Sequence, residues 1–153
     1  ITELPRAVLM AGYKDTSSSD AVYMLDWYAY GIGKVPTKVA TTYQNISDAW
    51  SLLIDQKWHD RITAIKANDG GLSYVEFFEY RKNKMSIPLF NIYCATGSNR
   101  EYYAERTDLI QLGQTTQAIY FAKLTNEGEQ SELALTGDEI KARFSLVNQA
   151  WNN

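Results

Sequence analysis

Residues 94–103 read CATGSNREYY and set the chain's only cysteine close to a serine. A thiol or hydroxyl becomes a nucleophile when a base takes its proton, and His59 is the only histidine available. Cys94 or Ser98 with His59 would make a hydrolase, with Asp60 beside the imidazole as an orienting carboxylate. The local pattern argues against that chemistry. A nucleophile elbow needs G-x-S-x-G, whereas Gly97 directly precedes Ser98 and Arg100 follows it. Ser98-Asn99-Arg100-Glu101 instead fits a capping box, which predicts a helix over 99–106 whose first amides occupy the serine oxygen. Cys94 follows Phe90 and Ile92 at strand spacing, the position of a small core side chain. His59 and Asp60, as neighbours on an extended chain, should point to opposite faces. The reading is therefore not an enzyme, and no catalytic residue is assigned.

Metal and cofactor chemistry fare no better. One Cys and one His fall short of the usual zinc ligand sets. Asp15-Thr16-Ser17-Ser18-Ser19-Asp20 spaces oxygen ligands like a calcium loop, but Asp20 stands where glycine belongs and Asp26 where a bidentate glutamate belongs. A polar turn is the better reading, so neither metal nor cofactor is expected. Glu76 and Glu79 fall on opposite faces of a strand and cannot work as a carboxylate pair. Arg81, Lys82 and Lys84 beside Tyr80 could meet an acidic partner, yet they read more simply as a solvated loop.

The formal charge of -3 and pI near 5.2 leave no global basic field to gather nucleic acid. What stands out is the ring content, 11 Tyr, 5 Phe and 4 Trp. Tyr and Trp combine large apolar area with a polar handle, which suits half-wet contact surfaces. Trp27, Tyr28 and Tyr30, with Tyr102, Tyr103 and Arg100, form the candidate groove, which would take a peptide, a glycan or a protein surface; ordinary core and rim is the alternative, and by base rate the commoner one. Asn45-Ile46-Ser47 fits the N-glycosylation triplet, a pattern frequent by chance. No stretch matches the roughly 18 apolar residues of a membrane span. The chain starts at Ile1 without a charged-then-apolar leader, so the expectation is a segment trimmed from a longer protein, with any signal or anchor upstream.

The elements follow from turn chemistry and period. Arg6–Tyr13, Ala21–Tyr30 and Lys38–Tyr43 read as a strand meander, broken at Gly31-Ile32-Gly33-Lys34. Trp50–Ile54, Arg61–Lys66, Leu72–Tyr80 and Ile87–Ala95 read as further strands, with a bend at Gln56-Lys57-Trp58-His59. Asn68-Asp69-Gly70-Gly71 is the clearest hairpin turn, and Gly113-Gln114-Thr115-Thr116-Gln117 the second, between Leu109–Leu112 and Ala118–Leu124. Thr136-Gly137-Asp138-Glu139 is a capping box ahead of Ile140, Phe144, Val147 and Trp151, which predicts a helix over 137–151. Hairpins without parallel crossovers give an α+β fold, a mostly antiparallel twisted sheet with helices packed on its faces.

Trp50-Ser51-Leu52-Leu53, Gln56–Thr63 and the junction Phe90–Tyr93 with Thr96–Glu101 together resemble a PsbP-like domain of uncharacterised secreted proteins and lipoproteins from Gram-positive anaerobic bacteria. The family pattern is W-x-L-x-x-P-x-x-W-x-x-(K/R)-(I/V)-T, then Y-x-x-T-G-x-x-R-x-x-Y. Asp55 stands where the proline is common, whereas Arg100 and Tyr103 match. The resemblance spans roughly residues 46–150. It implies an α/β/α sandwich over 46–153, preceded by a β meander over 1–45 packed on it as one compact unit. It also implies an extracellular or lipid-anchored setting and supplies no active-site residues. The functional expectation is a non-catalytic binding or interaction module, monomeric, meeting the membrane only through an upstream anchor.

Overall fold

The computed structural model describes residues 2–9, 23–81 and 84–147. Two five-stranded antiparallel sheets face each other across a shared core. The first three strands are β1 (Thr2–Leu9), β2 (Tyr23–Tyr30) and β3 (Thr37–Asn45), and they pair as a meander. β4 (Trp50–Leu53) pairs with β3 through a tight turn in which Ala49 takes a positive φ of 60°. The first sheet therefore draws strands from both sides of position 45.

The chain then crosses to the second sheet through a 3-10 turn at Gln56–Trp58. β5 (Ile62–Asp69), β6 (Leu72–Arg81) and β7 (Lys84–Thr96) form a second meander. The β5–β6 hairpin turns at Gly70-Gly71, and Gly70 supplies the positive φ of 61° that a two-residue turn needs. β8 (Ile110–Gln114) and β9 (Ala118–Leu124) make the predicted second hairpin, with β9 laid against β7. Two short helices, α2 (Asn126–Glu129) and α3 (Gly137–Arg143), lead back to the first sheet, where β10 (Phe144–Leu146) pairs with β4.

Aromatic side chains fill the space between the sheets. Tyr43 meets Phe77 edge-on at 5.5 Å, Trp50 stacks on Phe144 at 5.8 Å, and Phe77 stacks on Phe90 at 4.8 Å. Trp58, delivered by the 3-10 turn, packs on Phe90 and donates its indole N–H to the Leu133 carbonyl at 2.8 Å. A buried indole N–H left without such an acceptor would cost about 1–3 kcal/mol, a large part of what burying the ring contributes.

Two expectations are corrected. The helix over 137–151 ends at Arg143: its capping box at Thr136 forms, but Phe144-Ser145-Leu146 alternates buried, exposed, buried and extends along β4. Ile140 and Phe144 satisfy the helical period in sequence, but β4 offers an open edge that satisfies the backbone at Phe144 instead. Trp151 and the Met10–Tyr13 end of the first predicted strand lie outside the described residues. The helix over 99–106 shrinks to one turn, α1 (Glu101–Ala104), whose N-cap is Arg100 with no side-chain cap bond. Ser98 thus does not act as the predicted cap, because a turn at 98–100, entered through Gly97 at φ 89°, separates it from the helix. The mostly antiparallel character is as expected: over half of the described residues lie in antiparallel strands, arranged in two sheets, and the helices among them are few and short.

Glycine is required where α2 meets β7. Thr125 caps α2 by accepting from the Gly128 N–H at 2.9 Å, and its hydroxyl reaches the Pro88 carbonyl at 2.5 Å. A Cβ on Gly128 would land on the Leu89 carbonyl oxygen and within 2.7 Å of the Leu89 Cα, both main-chain atoms that cannot step aside. Gly128→Ala should therefore cost about 1–3 kcal/mol of stability. Urea denaturation would register it, and an unchanged midpoint would show that the two segments are not in this contact.

Candidate functional site

The reactive groups singled out in the sequence do not gather. Cys94 points into the core from β7, with Tyr120 and Ser73 beside it. Burial, and then the nearby Asp48 carboxylate, push its thiol up to about 11, so at neutral pH it is protonated and a poor nucleophile. Asp48 is itself engaged: it accepts from the Ser73 hydroxyl at 2.6 Å, and its carbonyl accepts from Tyr120 at 2.6 Å. Ser98 is exposed on the loop after β7. His59 stands elsewhere, exposed on the rim of a cleft whose walls include neither Cys94 nor Ser98. One detail departs from the expectation: Asp60 takes a left-handed φ of 57°, which folds its carboxylate back to 3.3 Å from the His59 Nε2. The pair is solvent-exposed, at 62% and 85% of the side chains, so it is a surface contact.

The aromatic residues divide between the two sheets. Trp27, Tyr28 and Tyr30 lie on β2, where the Trp27 indole donates to Thr42 Oγ1 at 2.8 Å. Tyr102 and Tyr103 lie on α1, against the second sheet, so the predicted groove is not one surface. Instead, Tyr102 and Tyr103 join rings that the sequence analysis did not single out. Tyr103 stacks on Phe121 at 5.3 Å, Phe121 on Tyr93 at 4.9 Å, and Tyr93 meets Tyr74 at 5.2 Å. Tyr102 closes the row edge-on to Tyr103 at 5.5 Å. The row crosses β6, β7 and β9 on the face turned away from the main core, because Tyr74, Tyr93 and Phe121 are register partners; there Phe121 is buried with Ala95 and Ile119 in a second, smaller cluster against which Tyr93 and Tyr103 pack.

A parallel row of register partners beside it carries Glu76, Asn91 and Lys123, and the Asn91 amide donates to the Tyr93 hydroxyl at 3.0 Å. Arg100 holds the α1 end in place by donating to the Gly97 carbonyl at 2.7 Å and the Thr116 carbonyl at 3.1 Å. The signal for this face was present in LSYVEFF, NIYCA and AIYFAKL, strands apolar in both phases rather than one. Strands of that kind have both faces covered or in use.

A second feature lies at the open end of the first sheet. A cleft of about 620 Å³ runs between β2, β3, β4, the 3-10 turn and the end of α3. A bulge between Trp27 and Tyr28 skips Val39 in the pairing and brings Lys38 beside Asp26. Asp26 is buried and accepts from the Thr41 hydroxyl at 2.6 Å, with the Lys38 ammonium at 3.0 Å. Desolvation raises its pKa, but the Thr41 hydrogen bond and Lys38 outweigh it and hold the carboxyl below its ordinary value. Asp55, which lines the cleft, accepts from the Lys57 N–H at 3.0 Å and from Arg143 at 2.7 Å.

Other flagged residues have structural work. Glu79 is fully buried yet paired: its two oxygens accept from Arg81 Nε at 2.7 Å and the Ser131 hydroxyl at 3.1 Å. Arg81 is therefore an ion-pair partner rather than part of a free basic loop, and Lys82 lies outside the described residues. Glu76 and Glu79 do face opposite ways, Glu79 into the core with Val75 and Phe77. Asn45 is buried, and its carbonyl oxygen accepts from Ser47 and from the Asp48 N–H, which builds the β3–β4 turn. The Asp15–Asp20 turn is outside the described residues. Among the described residues, no three His, Cys, Asp or Glu side chains converge as metal ligands, and no helix is long and apolar enough to cross a membrane.

Asp26 gives a pH signature. Its folded pKa sits below the unfolded value of 3.8, so its stabilisation is full above that value and is lost as pH falls through the folded pKa. Asp26→Asn should lower stability at pH 7, with the gap from the parent protein closing as the pH drops below about 4. Denaturation midpoints measured across pH 2–7 test this, and a gap independent of pH would remove the carboxylate from the argument. In comparison with known proteins, the chain matches no family model, no curated protein and no solved structure.

Proposed function

We propose that this chain is a non-catalytic binding module that works outside a bacterial cell, within a secreted protein or lipoprotein, and takes a peptide or glycan across its ring-lined outer sheet face. The observation that carries the reading is the row Tyr74–Tyr93–Phe121–Tyr103–Tyr102, in which a buried Phe121 supports tyrosines that stay partly or largely exposed. Rings with polar neighbours at hydrogen-bonding spacing suit extended ligands, since ring faces and edges contact apolar stretches while Glu76, Asn91 and Lys123 read polar groups. The separation of Cys94, Ser98 and His59 supports the non-catalytic half.

The setting comes from the resemblance to the PsbP-like domains, as does the finer assignment of an α/β/α sandwich. The residues that carry the resemblance are structural ones: Trp50 and Trp58 sit in the core, and Arg100 and Tyr103 tie α1 to its sheet. It therefore bears on fold and location, not on chemistry. The module acts as a monomer in this reading.

Tyr102 is 65% exposed, so Tyr102→Ala should leave the fold intact and weaken binding to array-identified peptides or glycans roughly tenfold, the loss of one ring contact. Hits unmoved by Tyr102→Ala and by Tyr103→Leu would place the ligand elsewhere, and a blank array would sink the ligand classes named. For location, protease added to intact cells should degrade the full-length protein; complete protection would contradict an outward-facing module.

A further inference from the structure

The cleft at the open end of the first sheet has a hydrogen-bond inventory that is unbalanced in one direction. Among the described residues Asp55 is the one carboxylate that lines it, and both its oxygens already hold donors, the Lys57 N–H and Arg143. Asp26, behind Lys38, takes the Thr41 hydroxyl and the Lys38 ammonium on the same oxygen, Oδ1. The cations opposite them are not exhausted. An ammonium has three donors and a guanidinium five, and among the described residues each ion pair uses only one contact. Lys38 keeps 38% and Arg143 25% of its side chain exposed, so both heads are reachable from solvent. Gln56 and His59 add exposed polar groups on the same rim. A group entering here meets spare donors and few spare acceptors.

The rest of the wall is apolar. Met24 and Ile54 are buried at the base, and Val39 and Leu53 stand 49% and 41% exposed among the lining residues. Two large aliphatic side chains left open to water beside a cationic rim make an amphipathic cleft, and its volume of about 620 Å³ lies within the roughly 300–1,000 Å³ span of small-molecule sites. The sheet arrives at this shape through the bulge, which leaves Val39 unpaired and moves Lys38 next to Asp26.

We propose that this cleft binds a small carboxylate with an aliphatic body, its head taken by Lys38 and Arg143 and its chain laid against Val39 and Leu53. Asp26 and Asp55 act as positioning residues: each holds one cation from behind, so that the remaining donors face the incoming head. The site is independent of the ring-lined face and stands or falls separately from it.

Titration of the full isotope-labelled chain with decanoate, followed by amide NMR, tests the proposal. Saturable shifts confined to the amides of Val39, Leu53, Ile54 and His59 are expected, with decylammonium at least tenfold weaker. Arg143→Gln should weaken decanoate at least fivefold. Leu53→Glu, a change at an exposed position, should abolish the shifts while the remaining spectrum keeps the native pattern, which guards against a folding artefact. Absence of shifts at the cleft, equal binding of decylammonium, or decanoate binding unaltered in folded Leu53→Glu would each overturn the assignment.

Discussion

The structure depends on rings bridging two sheets. Tyr43 and Trp50 from the first sheet meet Phe77 and Phe90 of the second through direct or shared contacts, and Phe144 and Trp58 fill what is left. Such pairs contribute about 0.5–1.5 kcal/mol each beyond the area they bury, but only if each ring arrives at its station. That demand organises the connections. The 3-10 turn exists to place Trp58, and the Trp58 indole then needs the Leu133 carbonyl, which fixes the segment after α2. Fixing that segment brings α3 and β10 into place, and β10 returns Phe144 to Trp50. The core is thus closed by residues far apart in the chain, and the short helices are couplings rather than layers.

Much of this was legible because turn chemistry is local. Gly70-Gly71 and the Gly113–Gln117 stretch declare hairpins from their own residues, and the meanders follow from strand runs between them. The end of α3 was not legible. Ile140 and Phe144 satisfy helical spacing, and nothing within the segment says that the free edge of β4 will claim Phe144-Ser145-Leu146. The Ser98 motif misled for a related reason: a capping box is a local preference, whereas Arg100 is held by Thr116 from the next hairpin and Tyr103 by Phe121. Tertiary contacts set where that turn begins.

The candidate surfaces were the least legible part. The ring row needs Tyr74, Tyr93 and Phe121 side by side, and only the register of β6, β7 and β9 puts them there. Sequence inspection reached Tyr102 and Tyr103 but paired them with Trp27 and Tyr28, which belong to the other sheet. The Lys38–Asp26 contact is harder still, since it depends on a bulge that changes the phase of β3. A strand read at strict period two would put Lys38 in step with Thr42 as well as Thr41's neighbour Ala40, and no charge pair would be foreseen.

The polar lining of the cleft is itself an argument about shape. Buried ion pairs contribute little net stability, and apolar replacements of equal volume commonly do as well or better. Had the chain placed aliphatic side chains at 26, 38, 55 and 143, the two walls could have closed on each other and extended the ring-filled core to the end of the sheet. Asp26 and Asp55 instead each hold one cation at the cleft, Lys38 at 3.0 Å and Arg143 at 2.7 Å, and charged side chains kept partly in water resist closure over them. The hydration those charged heads retain is a physical reason for that part of the sheet to stay open.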